Sequence, residues 1–192
     1  MNRLLGLSGA IGGAAWLILY LGGEPRFLAP GTPRFDLFVA FGRWTPGLLA
    51  LIGLGFWAAL APYRTHFGRI GRAGLALIMG GLALMFVSRL AKFWLLPLPV
   101  ALPMPPSWVA ASTADGAGLV GLLAGAGLAC LALFRGGAPH WLAMSFGMLP
   151  ILTLFGVPTN GDALPLGVLG FVLGAVAALR SPTPSTGQGA LA

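Results

Sequence analysis

Six long apolar runs, with nearly every charged residue placed between them, fix what this chain can fold into. The runs are Leu4–Gly22, Trp44–Pro62, Ala73–Leu96, Trp108–Phe134, Trp141–Val157 and Ala163–Leu179. A helix needs about 20 residues, at 1.5 Å each, to cover roughly 30 Å of hydrocarbon. None of the runs alternates as a half-buried strand does, and the alternating segments of a membrane β-barrel are missing. Helices satisfy their own backbone hydrogen bonds, which lipid cannot do for them. The sequence therefore predicts an all-α fold, a polytopic transmembrane bundle of six helices. The count falls to five if the short, proline-containing Trp141–Val157 run does not cross. Residues 1–180 read as a single transmembrane domain, and 181–192 (SPTPSTGQGALA) as a disordered cytoplasmic tail. The first run lacks a small-residue cleavage site followed by a soluble domain, so it reads as a retained helix and not a signal peptide.

Topology follows from the basic residues. With the N-terminus in the cytoplasm, the inner segments hold Arg3, Arg64, Arg69, Arg72, Arg135 and Arg180. The outer segments hold Arg26, Arg34, Arg43, Arg89 and Lys92, with all four acids, Glu24, Asp36, Asp115 and Asp162. The tight Tyr63–Arg72 loop, with three arginines, weighs most in the positive-inside rule. The expected arrangement is N-in and C-in, multi-pass, in a bacterial cytoplasmic membrane. The bacterial reading rests on ten arginines against one lysine together with abundant Gly and Ala. Tyr20, Trp44, Trp94 and Trp108 are the expected outer interface anchors, and Tyr63 and Trp141 the inner ones. Trp16 and Trp57 lie deeper, as packing residues.

A formal charge of +7 invites a nucleic-acid reading. The basic residues stand singly, however, and form no soluble basic face, which excludes it. The expected partner is membrane lipid, together with a second copy of the chain or another membrane protein. The lone Cys130 cannot form an intrachain disulfide. His66 and His140 fall at the cytoplasmic edge, so neither a metal site nor a haem is expected, and no cofactor is implied.

Two loops face outward, Gly23–Arg43 and Pro97–Ser107. The second, PLPVALPMPPS, cannot be helical and should be extended, with Ser107 as N-cap of the next helix. GxxGxxxG occurs in three helices, and its last two glycines share a face: Gly9 and Gly13, Gly121 and Gly125, Gly170 and Gly174. Small residues at that spacing let helix backbones approach closely. Three such matches also suit a three-plus-three inverted repeat, as in many transporters. Pro150, with Gly147, should kink the fifth run, and Ser145 and Thr153 are placed to re-satisfy the freed carbonyl of Phe146. Met144 and Met148 read as core fillers.

The polar groups within the runs are few. Arg89 and Lys92 share a helix face at i and i+3. Counted from Trp94 and Trp108, Arg89 lies roughly 7.5 Å deep and Asp115 roughly 10 Å. The two helices are antiparallel neighbours, so the charges meet at similar depth. One reading is structural: Arg89 pairs with Asp115 to lock two helices while Lys92 snorkels to the headgroups. The other is an outward-facing pocket for an anion or a lipid headgroup, with Arg43 as a third wall. No HExxH, CxxC, P-loop or GxSxG motif occurs, and no family motif is recognisable. The chain therefore reads as non-catalytic: an accessory, packing or sensing membrane protein, with a small transporter or lipid- or anion-binding protein as the alternative. A pocket between the third, fourth and fifth runs favours the alternative. A closed core with an exposed glycine stripe favours packing.

Overall fold

A computed structural model describes residues 2–21, 30, 33–65, 67–100, 102–156 and 164–179. Among the described residues there are seven α-helices and no strand. They are α1 (Asn2–Leu21), α2 (Pro33–Gly42), α3 (Thr45–Leu60), α4 (Arg69–Leu90), α5 (Pro106–Arg135), α6 (His140–Gly156) and α7 (Leu164–Leu179). A 3-10 turn, Ala61–Tyr63, continues α3, and a π-helical turn, Ala91–Leu95, continues α4. Four stretches are long and apolar enough to cross a membrane: Arg3–Leu21, Phe35–Tyr63, Arg69–Leu95 and Pro106–Arg135. His140–Phe155 and Leu164–Leu179 are shorter apolar helices. Glu24, Arg26, His66, Asp162, Arg180 and the 181–192 tail lie outside the described residues.

Three local expectations are corrected. The Gly23–Arg43 stretch contains α2, which runs almost directly into α3. The break between them is a proline effect: Pro46 has no N–H to give the Gly42 carbonyl four residues back. Thr45 Oγ1 donates to that carbonyl instead, at 2.7 Å, and the chain turns at Arg43–Trp44. Arg69 and Arg72 are not in a loop, because α4 already begins at Arg69. Ser107 does not cap α5, which starts one residue earlier at Pro106, with Pro105 at the N-cap. Proline suits a first helical turn, where N–H groups have no partner to lose. At its other end α5 stops at Gly137, which takes φ +67°, while Ala138 N donates to Leu133 O at 3.1 Å.

Packing is organised as two antiparallel pairs. The most extensive interface joins α4 to α5, and the next joins α1 to α7. Glycines on both partners meet the facing backbone. A methyl group on Gly6 would sit 2.8 Å from Gly174 O, and one on Gly13 would sit 2.6 Å from Gly167 O. In the second pair, a methyl on Gly118 would sit 2.7 Å from Gly81 O, and one on Gly125 would sit 2.7 Å from Gly74 O. Each pair is thus zipped by two glycines per helix, seven residues apart. Of the glycines singled out by spacing, Gly9, Gly13, Gly125 and Gly174 lie at close approaches to a neighbouring helix. Gly9 meets Gly55 of α3, Gly174 meets Ala10 N, and Gly170 lies between Ile52 and Gly13. Gly121 differs: a methyl there would find Gly81 Cα at 3.7 Å, an ordinary contact. Its place on the close face belongs to Gly118.

No backbone interface of any extent joins the two pairs directly among the described residues. α3 packs on α1, α7 and α4, and α6 packs on α5 and α7. The core runs between them through Trp16, Ile52, Phe56, Leu122, Leu142 and Phe146, all fully buried. Phe56 of α3 and Phe146 of α6 meet edge to face, with centroids 5.7 Å apart.

Gly81→Ala and Gly125→Ala should each lower stability by about 1–3 kcal/mol, because the added methyl has only backbone to push against. Gly80→Ala, which faces open space, and Gly121→Ala should be neutral or stabilising. Thermal unfolding in mild detergent separates the two groups. Equal effects at all four positions would refute backbone contact as the packing device.

Candidate functional site

Arg89 occupies the last turn of α4, where a cation also suits the helix dipole. The Gly81–Gly118 approach brings α5 against this end of α4. Arg89 Nε donates to Asp115 Oδ1 at 3.0 Å, with the two side chains 15% and 18% exposed. Ser88 Oγ lies 3.4 Å from the same carboxylate oxygen and 3.0 Å from Met85 O. On its other side, the guanidinium sits 5.3 Å from the ring centroid of Trp16 on α1. Trp16 is fully buried and stacks on Tyr20, with centroids 5.3 Å apart. A desolvated cation over an indole contributes up to about 2 kcal/mol. Arg89 therefore ties one glycine-zipped pair (α4 and α5) to the other (α1 and α7) through side chains.

Beneath this arginine is a small cavity of about 50 Å³. Trp16, Tyr20, Arg89, Leu149, Thr153 and Leu166 are among its walls. They come from four helices, α1, α4, α6 and α7, and α5 adds Leu119, Leu122 and Leu123. The walls cluster at the end of the bundle that carries Trp94 and the proline-rich connection. Among the described residues, three polar side chains are buried: Thr45, Ser88 and Thr153. Thr45 and Ser88 donate to backbone carbonyls of their own chain segment. Thr153 is 2% exposed, and among the described residues its hydroxyl has no hydrogen-bond partner. An unpaired buried hydroxyl costs about 1–3 kcal/mol. Of the polar groups here, it is the one with unused bonding capacity next to empty space.

The four proposed binding residues are split by the structure. Arg89 and Asp115 come together. Arg43 does not line the cavity. It sits on the exposed α2–α3 corner, its guanidinium 5.8 Å from the Trp94 ring, while Trp94 Nε1 donates to Arg43 O at 3.1 Å. That reciprocal clasp ties the corner to the π-helical turn. Lys92 lies in the π turn itself, its Nζ 5.5 Å from Phe93 and 5.9 Å from Trp108. It has ring faces for company and, among the described residues, no carboxylate within ion-pair distance. Arg89, Lys92 and Asp115 therefore carry one more positive than negative charge in a half-buried region.

Other expectations move. Trp108 is buried and donates Nε1–H to Pro97 O at 3.0 Å, so it pins the proline-rich connection from inside and is no interface anchor. Trp44 and Trp94 are exposed, as interface residues would be. Ser145 donates to Trp141 O at 2.8 Å, not to the carbonyl that Pro150 frees. α6 continues through Pro150 to Gly156. Met144 and Met148 are exposed and line a surface groove instead of filling the core. Cys130 is half-buried against Gly147, and His140 lies beside Phe134. Among the described residues no three His, Cys, Asp or Glu side chains converge as metal ligands.

Sequence reading placed Arg89 and Asp115 together, and gave Trp16, Tyr20 and Thr153 other roles: packing, outer interface and backbone capping. Trp16 and Tyr20 stand at i and i+4 on one face of α1, a spacing that marks a shared aromatic surface. The chain matches no protein family, and comparison with curated proteins and with solved structures finds no match.

Two measurements test this geometry. Arg89→Gln and Asp115→Asn should each destabilise the protein, and the double variant should cost less than the sum, with a coupling of about 1–3 kcal/mol. Strict additivity would remove the ion pair as a lock. Thr153→Val should leave stability unchanged or raise it, since no protein hydrogen bond is lost. A large loss would show that Thr153 is bonded after all.

Proposed function

We propose that this is a non-catalytic membrane protein that binds a small anionic or strongly polar group in the cavity beneath Arg89. The observation that carries this reading is Thr153. Thr153, buried and with no hydrogen-bond partner for its hydroxyl among the described residues, lines the same small cavity as Arg89. Single-handed burial of that kind is costly unless something else, water or ligand, completes the bonding. The surplus of cations over carboxylates around the site favours an anion. A pocket between α4, α5 and α6 was the feature that separates binding or transport from packing. The glycine faces of α5 and α7 point at α4 and α1, where they are consumed inside one bundle. A purely packing or accessory role, or a homo-oligomer built on those glycines, therefore has less support.

The chain crosses a bacterial cytoplasmic membrane six times in this reading, with α2 lying at the outer surface and both termini inside. Support comes from the antiparallel packing of α1 on α7 and α3 and of α4 on α5, which the glycine contacts require, and from the positions of the tryptophans. Trp44 and Trp94 are exposed at one end of the bundle, beside Arg43. Arg64, Arg69, Arg72 and Arg135 gather at the other. Membrane lipid is the natural company of the exposed leucines, valines and phenylalanines that cover every long helix.

The test is site-directed labelling in a Cys130→Ala background. Leu119→Cys, at a half-buried wall of the cavity, should react with a small membrane-impermeant thiol reagent applied to the outer face and not from the inner face. Millimolar acetate should slow that reaction several-fold. Labelling from the inner face alone, or no protection by any small anion, counts against an outward-facing anion pocket. Epitopes on the two termini should both be reachable only in inverted vesicles.

A further inference from the structure

α6 and α7 are sequence neighbours, yet theirs is among the sparsest interfaces between adjacent long helices. The gap between them is an open groove of about 590 Å³. Trp141, Met144, Met148, Leu152, Val168 and Val172 are among its walls. That volume lies within the range of about 300–1,000 Å³ typical of ligand pockets. Among the described residues its single hydroxyl, on Ser145, is already committed to Trp141 O at 2.8 Å. Apart from the Trp141 indole, the other described walls are aliphatic or thioether side chains, so the groove offers mainly dispersion contact, which suits a hydrocarbon chain.

The groove is not isolated. Leu149 lines both it and the cavity beneath Arg89. Leu149 is 2% exposed and immediately precedes Pro150. Proline cannot donate the backbone bond that would hold this turn of α6 to the previous one. One leucine, on the least tightly bonded turn of its helix, thus stands between a polar chamber and an apolar trough. A water-sized group needs on the order of 10–15 Å³ of such space, so about 50 Å³ holds roughly three or four. A carboxylate fits, and a phosphate with its ester substituents does not.

We propose that the two spaces form one site for a fatty-acid-like amphiphile, with its carboxylate beneath Arg89 at Thr153 and its chain between α6 and α7. The inference rests on the anion pocket argued above and adds the ligand class and the route. The chain enters sideways from the bilayer, where such molecules already lie, and Leu149 swings aside to admit the headgroup. Thr153 Oγ1 donates to one carboxylate oxygen. The excess cation of the Arg89–Lys92–Asp115 group balances the charge.

The test uses the full-length protein in nanodiscs of neutral lipid. The probe is palmitic acid bearing a photoreactive diazirine on its chain, and the control is the methyl ester of the same molecule. The acid is expected to label peptides of α6 and α7, and to outcompete the ester at least tenfold. Val168→Trp fills the groove from its exposed wall without touching the cavity and should cut acid labelling at least tenfold. Leu152→Trp, also at a lipid-facing position, is the second variant if Val168→Trp folds poorly. Acetate protection of Leu119→Cys should survive both. Labelling spread over all lipid-facing helices, or equal labelling by acid and ester, would mean annular lipid only and would overturn the proposal. Acetate protection without groove labelling sinks this inference and leaves the anion pocket standing. Loss of both sinks the pocket as well.

Discussion

Backbone-to-backbone contact at glycine is the constraint on which this architecture depends. In lipid, an apolar helix surface gains nothing by leaving its solvent, since leucine and an acyl chain are equally greasy. Association must come from closer packing than lipid can offer. Gly6 and Gly13 against Gly167 and Gly174, and Gly118 and Gly125 against Gly74 and Gly81, supply it by removing the side chain from the interface altogether. Both pairs are antiparallel and both use a seven-residue interval, so the register is fixed at two points in each. This likeness of register is confined to the pairs. Gly55 of α3 sits against Gly9 of α1, whereas Gly121, the middle glycine of the matching motif on α5, has only α4 atoms near it, at 3.7 and 3.8 Å. The close α1–α3 approach therefore has no counterpart at Gly121.

Two pairs whose backbones share no interface of any extent leave space between them, and that space is where polarity collects. A charged side chain at the centre of a bilayer costs about 2.5–3.5 kcal/mol on insertion scales, so its burial needs compensation. Arg89 obtains it from three helices: a carboxylate on α5, an indole face on α1 and the end of its own helix. Lys92, one turn further out, makes do with aromatic faces. The first is an organising contact between the pairs. The second is a cation held ready near the surface. Neither needs a catalytic explanation, and together they bias the local field toward anions.

Much of this was legible in the sequence, for a physical reason. Hydropathy over 20 residues is a property of composition, and it located the helical runs without knowledge of packing. Arg89 and Asp115 could be paired because hairpin neighbours at equal depth must face the same layer of the bilayer. What escaped depends on which side of a helix faces which neighbour. Gly118 and Gly121 are equally small, and only the rotation of α5 decides that Gly118 carries the contact. Trp108 has the sequence position of an interface residue, but its indole N–H found the Pro97 carbonyl inside. α2 was hidden because Pro46 and Thr45 break a continuous apolar stretch with one hydrogen bond exchanged for another.

The weak wall of the bundle is α6, and its weakness is written in several independent features. At 17 residues it is about 25 Å long, shorter than the roughly 30 Å hydrocarbon layer. Pro150 removes a ladder bond from its middle, and neither Ser145 nor Thr153 replaces it. Its contact with α7 is sparse, while the two glycine-zipped pairs on either side are not. Local opening draws on the regions with the fewest contacts and the most strained backbone bonding. A passage between the lipid and the chamber under Arg89 therefore meets least resistance at α6, because parting α1 from α7 or α4 from α5 would separate backbones that glycine has already brought together.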